Sequence, residues 1–207
     1  MKKRILIVDD HPVICAAIRS VLDDNGYEVI GETADGIQAL NLIKTLGPDY
    51  LILDIGIDRL DGISLLNRIK SENIDIKTLV FTSHLVSTYA ARCLQAGAQG
   101  FINKSANLDE LIKGLNAISG GYLYFPKEVL TQYRTSENKS GVALSQLTNK
   151  EIIVLQLLSK GFSNLEIADK LNLSNKTISG YKISLLKKLA VRSTVDLANI
   201  ANEFGLH

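Results

Sequence analysis

The first 120 residues alternate short apolar runs with stretches of helical periodicity. RILIV (4–8), the run over 28–32, YLIL (50–53), the run over 78–82 and GFIN (100–103) have the length and branched aliphatic content of buried strands. Val13, Ala17 and Val21, with Ile14, Ile18 and Leu22, recur at helical spacing behind Pro12, a favoured first-turn residue, and Asn25-Gly26 ends that helix. Further helices are predicted from about Gly36 to Leu46, from Asp61 to about Ser71, over 86–96 and over 107–119. Five strand–helix units in this order predict an α/β domain over 1–122, a parallel sheet with helices on both faces.

The pattern changes after Gly120-Gly121. YLYFP is aromatic and ends in proline, and TQYRTSENKSG is polar without a period. Residues 123–143 are therefore expected to be a docking segment followed by a flexible linker. From Leu144 only helical signals remain, predicting a small all-α domain over 144–207. Ser145 or Thr148 caps a helix carrying Ile152, Ile153, Leu155, Leu157 and Leu158. Ser163 caps a short helix, Ser174 a longer one reaching about Leu189, and Ser193 with Asp196 resembles a capping box for the last. A short helix, a tight turn around Asn172–Ser174 and a longer helix form a helix-turn-helix pattern.

The chemistry gathers at strand ends. Asp9 and Asp10 follow the first strand, Asp54 the third, Thr82 ends the fourth and Lys104 follows the fifth. In an open α/β sheet the functional crevice lies at the carboxyl ends of the strands. Clustered carboxylates there call for a cation, and Mg²⁺ takes oxygen ligands while keeping several waters. A carboxylate at Asp54 is placed to attack phosphorus, with a metal held by Asp10 and Asp54, the Lys104 ammonium on the phosphoryl oxygens and the Thr82 hydroxyl as a donor. Each residue alone has a plainer reading, as a loop carboxylate, a cap or a solvated lysine; their joint placement on four strand ends makes the set specific.

Composition narrows the class. With 46% hydrophobic and 22% charged residues the chain is globular. No apolar stretch is long enough to span a membrane, and the run after MKK is too short for a signal peptide. Cys15 and Cys93 show no metal spacing, so a reduced cytoplasmic protein is expected, its thiols acting as small hydrophobes or as a redox switch. Residues 1–123 hold 12 Lys and Arg against 15 Asp and Glu, whereas residues 144–207 hold 8 against 5. An acidic first half and a basic last third suggest two different tasks.

Residues 1–120 resemble a two-component receiver domain through VDDHP (8–12), LDIGIDRLDG (53–62), FTS (81–83) and AGAQGFINK (96–104). Residues 144–203 resemble the LuxR-type helix-turn-helix through LTNKE (147–151), VLQLLSKGFSNLEIADKLNLSNKTIS (154–179) and LLKKL (185–189). Together they resemble NarL/FixJ-family response regulators, the BvgA/EvgA subgroup in particular. The resemblance implies a flavodoxin-like receiver, Asp54 as phosphoacceptor, Asp9 and Asp10 as the acidic metal pair, Thr82 as switch hydroxyl, Lys104 as phosphoryl ligand and Phe101 as switch aromatic. It also implies a sensor histidine kinase or phosphotransfer domain as donor, double-stranded promoter DNA at paired half-sites, a homodimer on that DNA, and RNA polymerase as a further partner. The chain departs from the pattern at Asp58 and Ser105, where many receivers carry Pro, and at Asn149-Lys150. None of these removes a catalytic group.

The longer C-terminal helix has two faces. Ile178, Leu185 and Leu189 form a core side; Lys176, Ser179, Gly180, Ile183 and Lys187 gather opposite. Lysines suit phosphates or guanine, serine suits base edges and an exposed isoleucine suits a thymine methyl. A solvated face is the plainer reading, but a mid-helix glycine costs roughly 1 kcal/mol against alanine and close approach to DNA would explain it. Ser163 and Asn164 open the preceding helix, whose N-terminus can hold a phosphate. The last helix serves the core or a small dimer interface. The expected function is a phosphorylation-gated transcription regulator. The rivals are a metal-dependent phosphatase or phosphotransferase, disfavoured by the lack of a GxxxxGK[ST] loop, and a DNA-binding scaffold indifferent to phosphorylation.

Overall fold

The computed structural model describes residues 2–135, 147–203 and 206. They divide into two compact units, Met1–Arg134 and Thr135–His207.

In the first unit β1 (Lys3–Val8), α1 (Pro12–Asp24), β2 (Tyr27–Thr33), α2 (Gly36–Leu46), β3 (Tyr50–Leu53), α3 (Gly62–Ser71), β4 (Lys77–Thr82), α4 (Val86–Gln95), β5 (Gly100–Asn103) and α5 (Asp109–Ser119) follow one another. The sheet order is β2-β1-β3-β4-β5, and every pair is parallel. β3 lies at the centre and is buried throughout, in keeping with its aliphatic run of Leu51, Ile52 and Leu53. One face of the sheet packs Ile5, Ile7, Ile52, Leu79 and Phe81 against Ile18, Leu22, Leu111 and Leu115 from α1 and α5. Full burial of each such side chain contributes about 1.5–3 kcal/mol.

β1 has β2 on one side and β3 on the other, so chain direction through the sheet reverses there. In the register Val8 lies beside Leu53, and Thr82 beside Asn103. The residues that follow these strand ends, Asp9, Asp54 and Lys104, therefore emerge at one edge, beside the switch point where α/β sheets place their ligands.

The stretch after α5 differs from the sequence expectation. Tyr124 forms a parallel bridge with Gly100, and residues Lys127–Thr135 form helix α6. Residues 124–134 thus belong to the first compact unit, where the sequence suggested docking and then a linker. The helix was hidden because KEVLTQYRT has only two aliphatic residues; buried Val129 supplies its packing without an apolar period. The rest of the expected linker, and Ser145, lie outside the described residues.

The second unit contains α7 (Asn149–Ser159), α8 (Asn164–Leu171), α9 (Asn175–Lys188) and α10 (Thr194–Glu203). Its core is Ile152, Leu155, Ile167, Ile178, Leu185, Leu197 and Ala201. Thr148 with Glu151 and Ser163 with Glu166 form reciprocal capping boxes. Ser193 and Asp196 exchange the same pair of hydrogen bonds at α10. Asn172 closes α8 in the left-handed conformation, and Ser174 caps α9 two residues later. Among the described residues, no helix is long and apolar enough to cross a membrane.

Candidate functional site

Asp54 is buried at the end of β3, with 3% of its surface exposed. Its Oδ1 accepts hydrogen bonds from the Thr82 hydroxyl at 2.7 Å and the Gly56 N–H at 3.0 Å. Its Oδ2 accepts from Lys104 Nζ at 2.5 Å. The same ammonium lies 2.7 Å from Asp9 Oδ2, and Asp9 is equally buried. Burial pushes the Asp54 carboxyl up, but the hydrogen bonds from Lys104, Thr82 and Gly56 outweigh it and hold the group below its ordinary value. Burial works to lower the Lys104 pKa, yet its bonds to Asp54 and Asp9 raise it, so this ion pair stays charged.

Four expected residues, Asp9, Asp54, Thr82 and Lys104, thus meet in one pocket. Asp10 stands exposed at its mouth, 2.6 Å from His11 Nδ1. Oxygen and nitrogen ligand atoms of Asp9, Asp10, His11 and Asp54 all lie within 4.8 Å of one another. Three carboxylates here face one lysine ammonium, a surplus of negative charge that suits a hard divalent cation.

Glycines shape the walls. A Cβ at Gly62 would sit 2.6 Å from Ile55 Cα, and one at Gly36 would sit 1.9 Å from the Leu60 carbonyl oxygen. The loop after Asp54 is therefore pressed onto the starts of α2 and α3, and Arg59 holds Asp35 across that seam at 3.0 Å. Asp58 projects into solvent, with its backbone bridged to Asp35. Its carboxylate is not part of the pocket cluster.

Sequence reasoning missed two histidines. His11 donates its backbone N–H to Asp9 Oδ1 at 2.9 Å and follows the acidic pair directly. His84 Nδ1 lies 3.2 Å from Thr82 Oγ1, and its ring meets Tyr89 edge-on. Burial, opposed by the Asp54 charge and aided by Lys104, holds the His84 imidazole below its ordinary pKa. Its position two residues after Thr82 was the available signal. Phe101 lies two residues back along β5 from Asn103, the partner of Thr82. It is buried on β5, on the sheet face it shares with Thr82, since Val80 pairs with Phe101 and Thr82 with Asn103.

In the second unit α9 presents the expected face. Lys176, Gly180, Ile183 and Lys187 are exposed, Ile183 by 68%. A Cβ on Gly180 would meet nothing within 4 Å, so no packing inside this unit requires the glycine. Ser179 is half-covered because Asn164 Nδ2 donates to its hydroxyl at 3.3 Å, tying α8 to α9. Ser163 is engaged in its capping box and exposed. On the other side Ile178 and Leu185 are fully buried. Glu151, buried in α7, receives Ser184 Oγ at 2.6 Å and Lys188 Nζ at 2.7 Å from α9. Sequence reading placed Glu151 only in a motif; its partners lie more than 30 residues away.

Comparison with known proteins covers both units. Residues 5–116 match the response regulator receiver domain family, and residues 145–201 match the luxR family of bacterial regulatory proteins. The virulence-factor transcription regulator BvgA of Bordetella pertussis is 43% identical over 208 residues, covering 100% of both chains. The structure of RcsB from Salmonella enterica serovar Typhimurium, bound to promoter P1flhDC with the phosphomimetic BeF3⁻, is 30% identical, with a TM-score of 0.61 over 97% of this chain and 98% of that one. A structure of two RcsB dimers bound to two parallel DNAs is likewise 30% identical, with a TM-score of 0.61 and 98% coverage of each chain.

Proposed function

The chain belongs to the response regulators that join a receiver domain to a LuxR-type DNA-binding domain, and from that membership we propose that phosphorylation of Asp54 gates its hold on promoter DNA. It is a DNA-binding transcription regulator of a two-component system and not an enzyme. The observation that carries the gate is the convergence of Thr82 and Lys104 on the two oxygens of one buried carboxylate.

The donor is a phosphohistidine of a sensor kinase or phosphotransfer domain. An Asp54 oxygen forms the new O–P bond as the donor's P–N bond breaks, and the leaving imidazole takes its proton from solvent. Lys104 stays as a point charge beside the phosphoryl oxygens, and Thr82 turns its hydroxyl from the carboxylate to one of them. Asp9, Asp10 and Asp54 would hold a Mg²⁺, which when bound supplies neutralisation of the transferring group's charge. Phe101, on the face of Thr82, fills the space beside it and alters the receiver surface. Phosphorylated copies then pair on DNA, with Lys176, Ser179, Gly180, Ile183 and Lys187 of α9 in the major groove and the α8 start, Ser163 and Asn164, against a phosphate.

Asp54→Asn is the decisive variant. It is expected to keep its fold and lose labelling by acetyl phosphate with Mg²⁺. Undiminished labelling on that variant would move the acceptor elsewhere.

A further inference from the structure

The chain leaving α5 turns at Gly121, which has φ +82°, and comes back along β5. The Tyr124 N–H donates to the Gln99 carbonyl at 2.9 Å, and the Phe101 N–H donates to the Tyr124 carbonyl at 2.8 Å. The Tyr124 hydroxyl also donates to Glu110 on α5. Two backbone bonds and one side-chain bond therefore fix Tyr124 against residues 99–101. The next residue, Phe125, stacks its ring on Phe101, with centroids 6.4 Å apart and planes at 28°. Phe125 is only half-buried, whereas Phe101 is 3% exposed. Phe101 in turn shares its sheet face with Thr82, the hydroxyl on Asp54.

The path runs from Asp54 to Thr82 by a hydrogen bond, along the sheet face that Thr82 shares with Phe101, and from Phe101 by a ring contact to Phe125 outside the five-stranded sheet. Phe125 is also the first side chain of that series on the segment that continues through α6 toward the second unit. We propose that Phe125 is a positioning residue of the switch: its ring sets the orientation of Phe101 and passes the state of Asp54 to the segment leading to the DNA-binding domain. The inference rests on phosphorylation of Asp54 as the gate. An aromatic pair has a preferred offset geometry, so reorientation of one ring changes the energy of its partner. A plain packing role for Phe125 would support receiver stability without altering the balance between the two states.

The test uses the full chain and a DNA duplex selected from a random pool by the parent protein. DNA affinity is measured with and without beryllofluoride, and Asp54 labelling by acetyl phosphate is followed beside it. Phe125→Ala is expected to label as the parent does and to bind the duplex equally well without beryllofluoride. Its gain in affinity on beryllofluoride should fall roughly three- to tenfold, the order an aromatic pair supplies. Phe125→Tyr, which keeps the ring, should restore the gain. Should Phe125→Ala fail to fold, Phe125→Leu keeps apolar bulk without a ring and carries the same comparison. A gain equal to the parent's in the folded ring-less variant overturns the inference while leaving the Asp54 gate intact. A parent with no gain at all overturns both.

Discussion

Lys104 is held between Asp9 and Asp54, and most of its side chain is out of water. Removing it leaves two buried carboxylates without their shared counter-ion, a change that costs about 3 kcal/mol when a buried pair is broken. The sign with pH follows from the partners. In the parent the folded-state Asp54 pKa is lowered, so its stabilisation is present above the ordinary carboxylate value and lost as pH falls through the folded one. In Lys104→Met the hydrogen bond and charge of the ammonium are gone, and only the Thr82 and Gly56 bonds are left to oppose burial, so the Asp54 carboxyl is held down less than in the parent. The variant's ionised Asp54 then stabilises the fold less than the parent's does above the ordinary carboxylate value, and the difference narrows as pH falls and the carboxyl is protonated. Urea unfolding without divalent cations should therefore show a larger cost for Lys104→Met at pH 7 than near pH 4.5. Equal costs would mean that the ammonium does not balance these carboxylates. Asp9, Asp54, Thr82 and Lys104 were legible in the sequence because a strand has a fixed length and direction, so its end places its successor. His11 and His84 were not, because the turns after β1 and β4 decide where those rings go. Phe125 was hidden for another reason: its partner ring is 24 positions earlier, and only the return along β5 brings them together.

At the scale of elements, the proposed reading face of α9 sets helix stability against DNA contact. Gly180 sits mid-helix on the exposed face, with open space where a side chain would go. Gly180→Leu should raise the thermal stability of the second unit, by up to roughly 1 kcal/mol from helix propensity. If this face enters the groove as proposed, the same variant should bind operator DNA at least tenfold more weakly, because the added bulk would meet the groove. A variant that is both more stable and equally tight on DNA would remove this face as the reading surface. The caps of α7, α8, α9 and α10 were readable from Thr148, Ser163, Ser174 and Ser193, since a cap is satisfied within three residues. The Gly36 contact with Leu60 and the Glu151 contacts with Ser184 and Lys188 were not readable. Such tertiary contacts leave no periodic trace. α6 is the clearest omission among the elements, because a short helix with two aliphatic residues, of which Val129 is buried, has no apolar period to read.

At the scale of the molecule, opposite charge on the two units divides the labour. In the proposed reading the carboxylates of the acidic part would hold a cation, and the lysines of the basic part would attract DNA phosphate. One helix in one groove reads few base pairs, and the proposed pairing of two copies on two half-sites would supply the rest of the specificity. Cooperative binding should therefore depend on which side of the duplex the half-sites face. Inserting about five base pairs, half a helical turn, between them should abolish cooperativity in a gel-shift titration, and about ten should restore part of it. Cooperativity that ignores the insertion would argue against paired docking.

The bonds of Tyr124 to Gln99 and Phe101 have a consequence for any isolated receiver. β5 is an outer strand of the sheet, and an outer strand offers unsatisfied backbone donors and acceptors to whatever strand arrives. Here the chain's own continuation occupies two of them, the Gln99 carbonyl and the Phe101 N–H. A receiver severed at Gly121 would lose that cover and expose β5 to self-association, whereas one retaining α6 would carry its own guard against sticking to its neighbours.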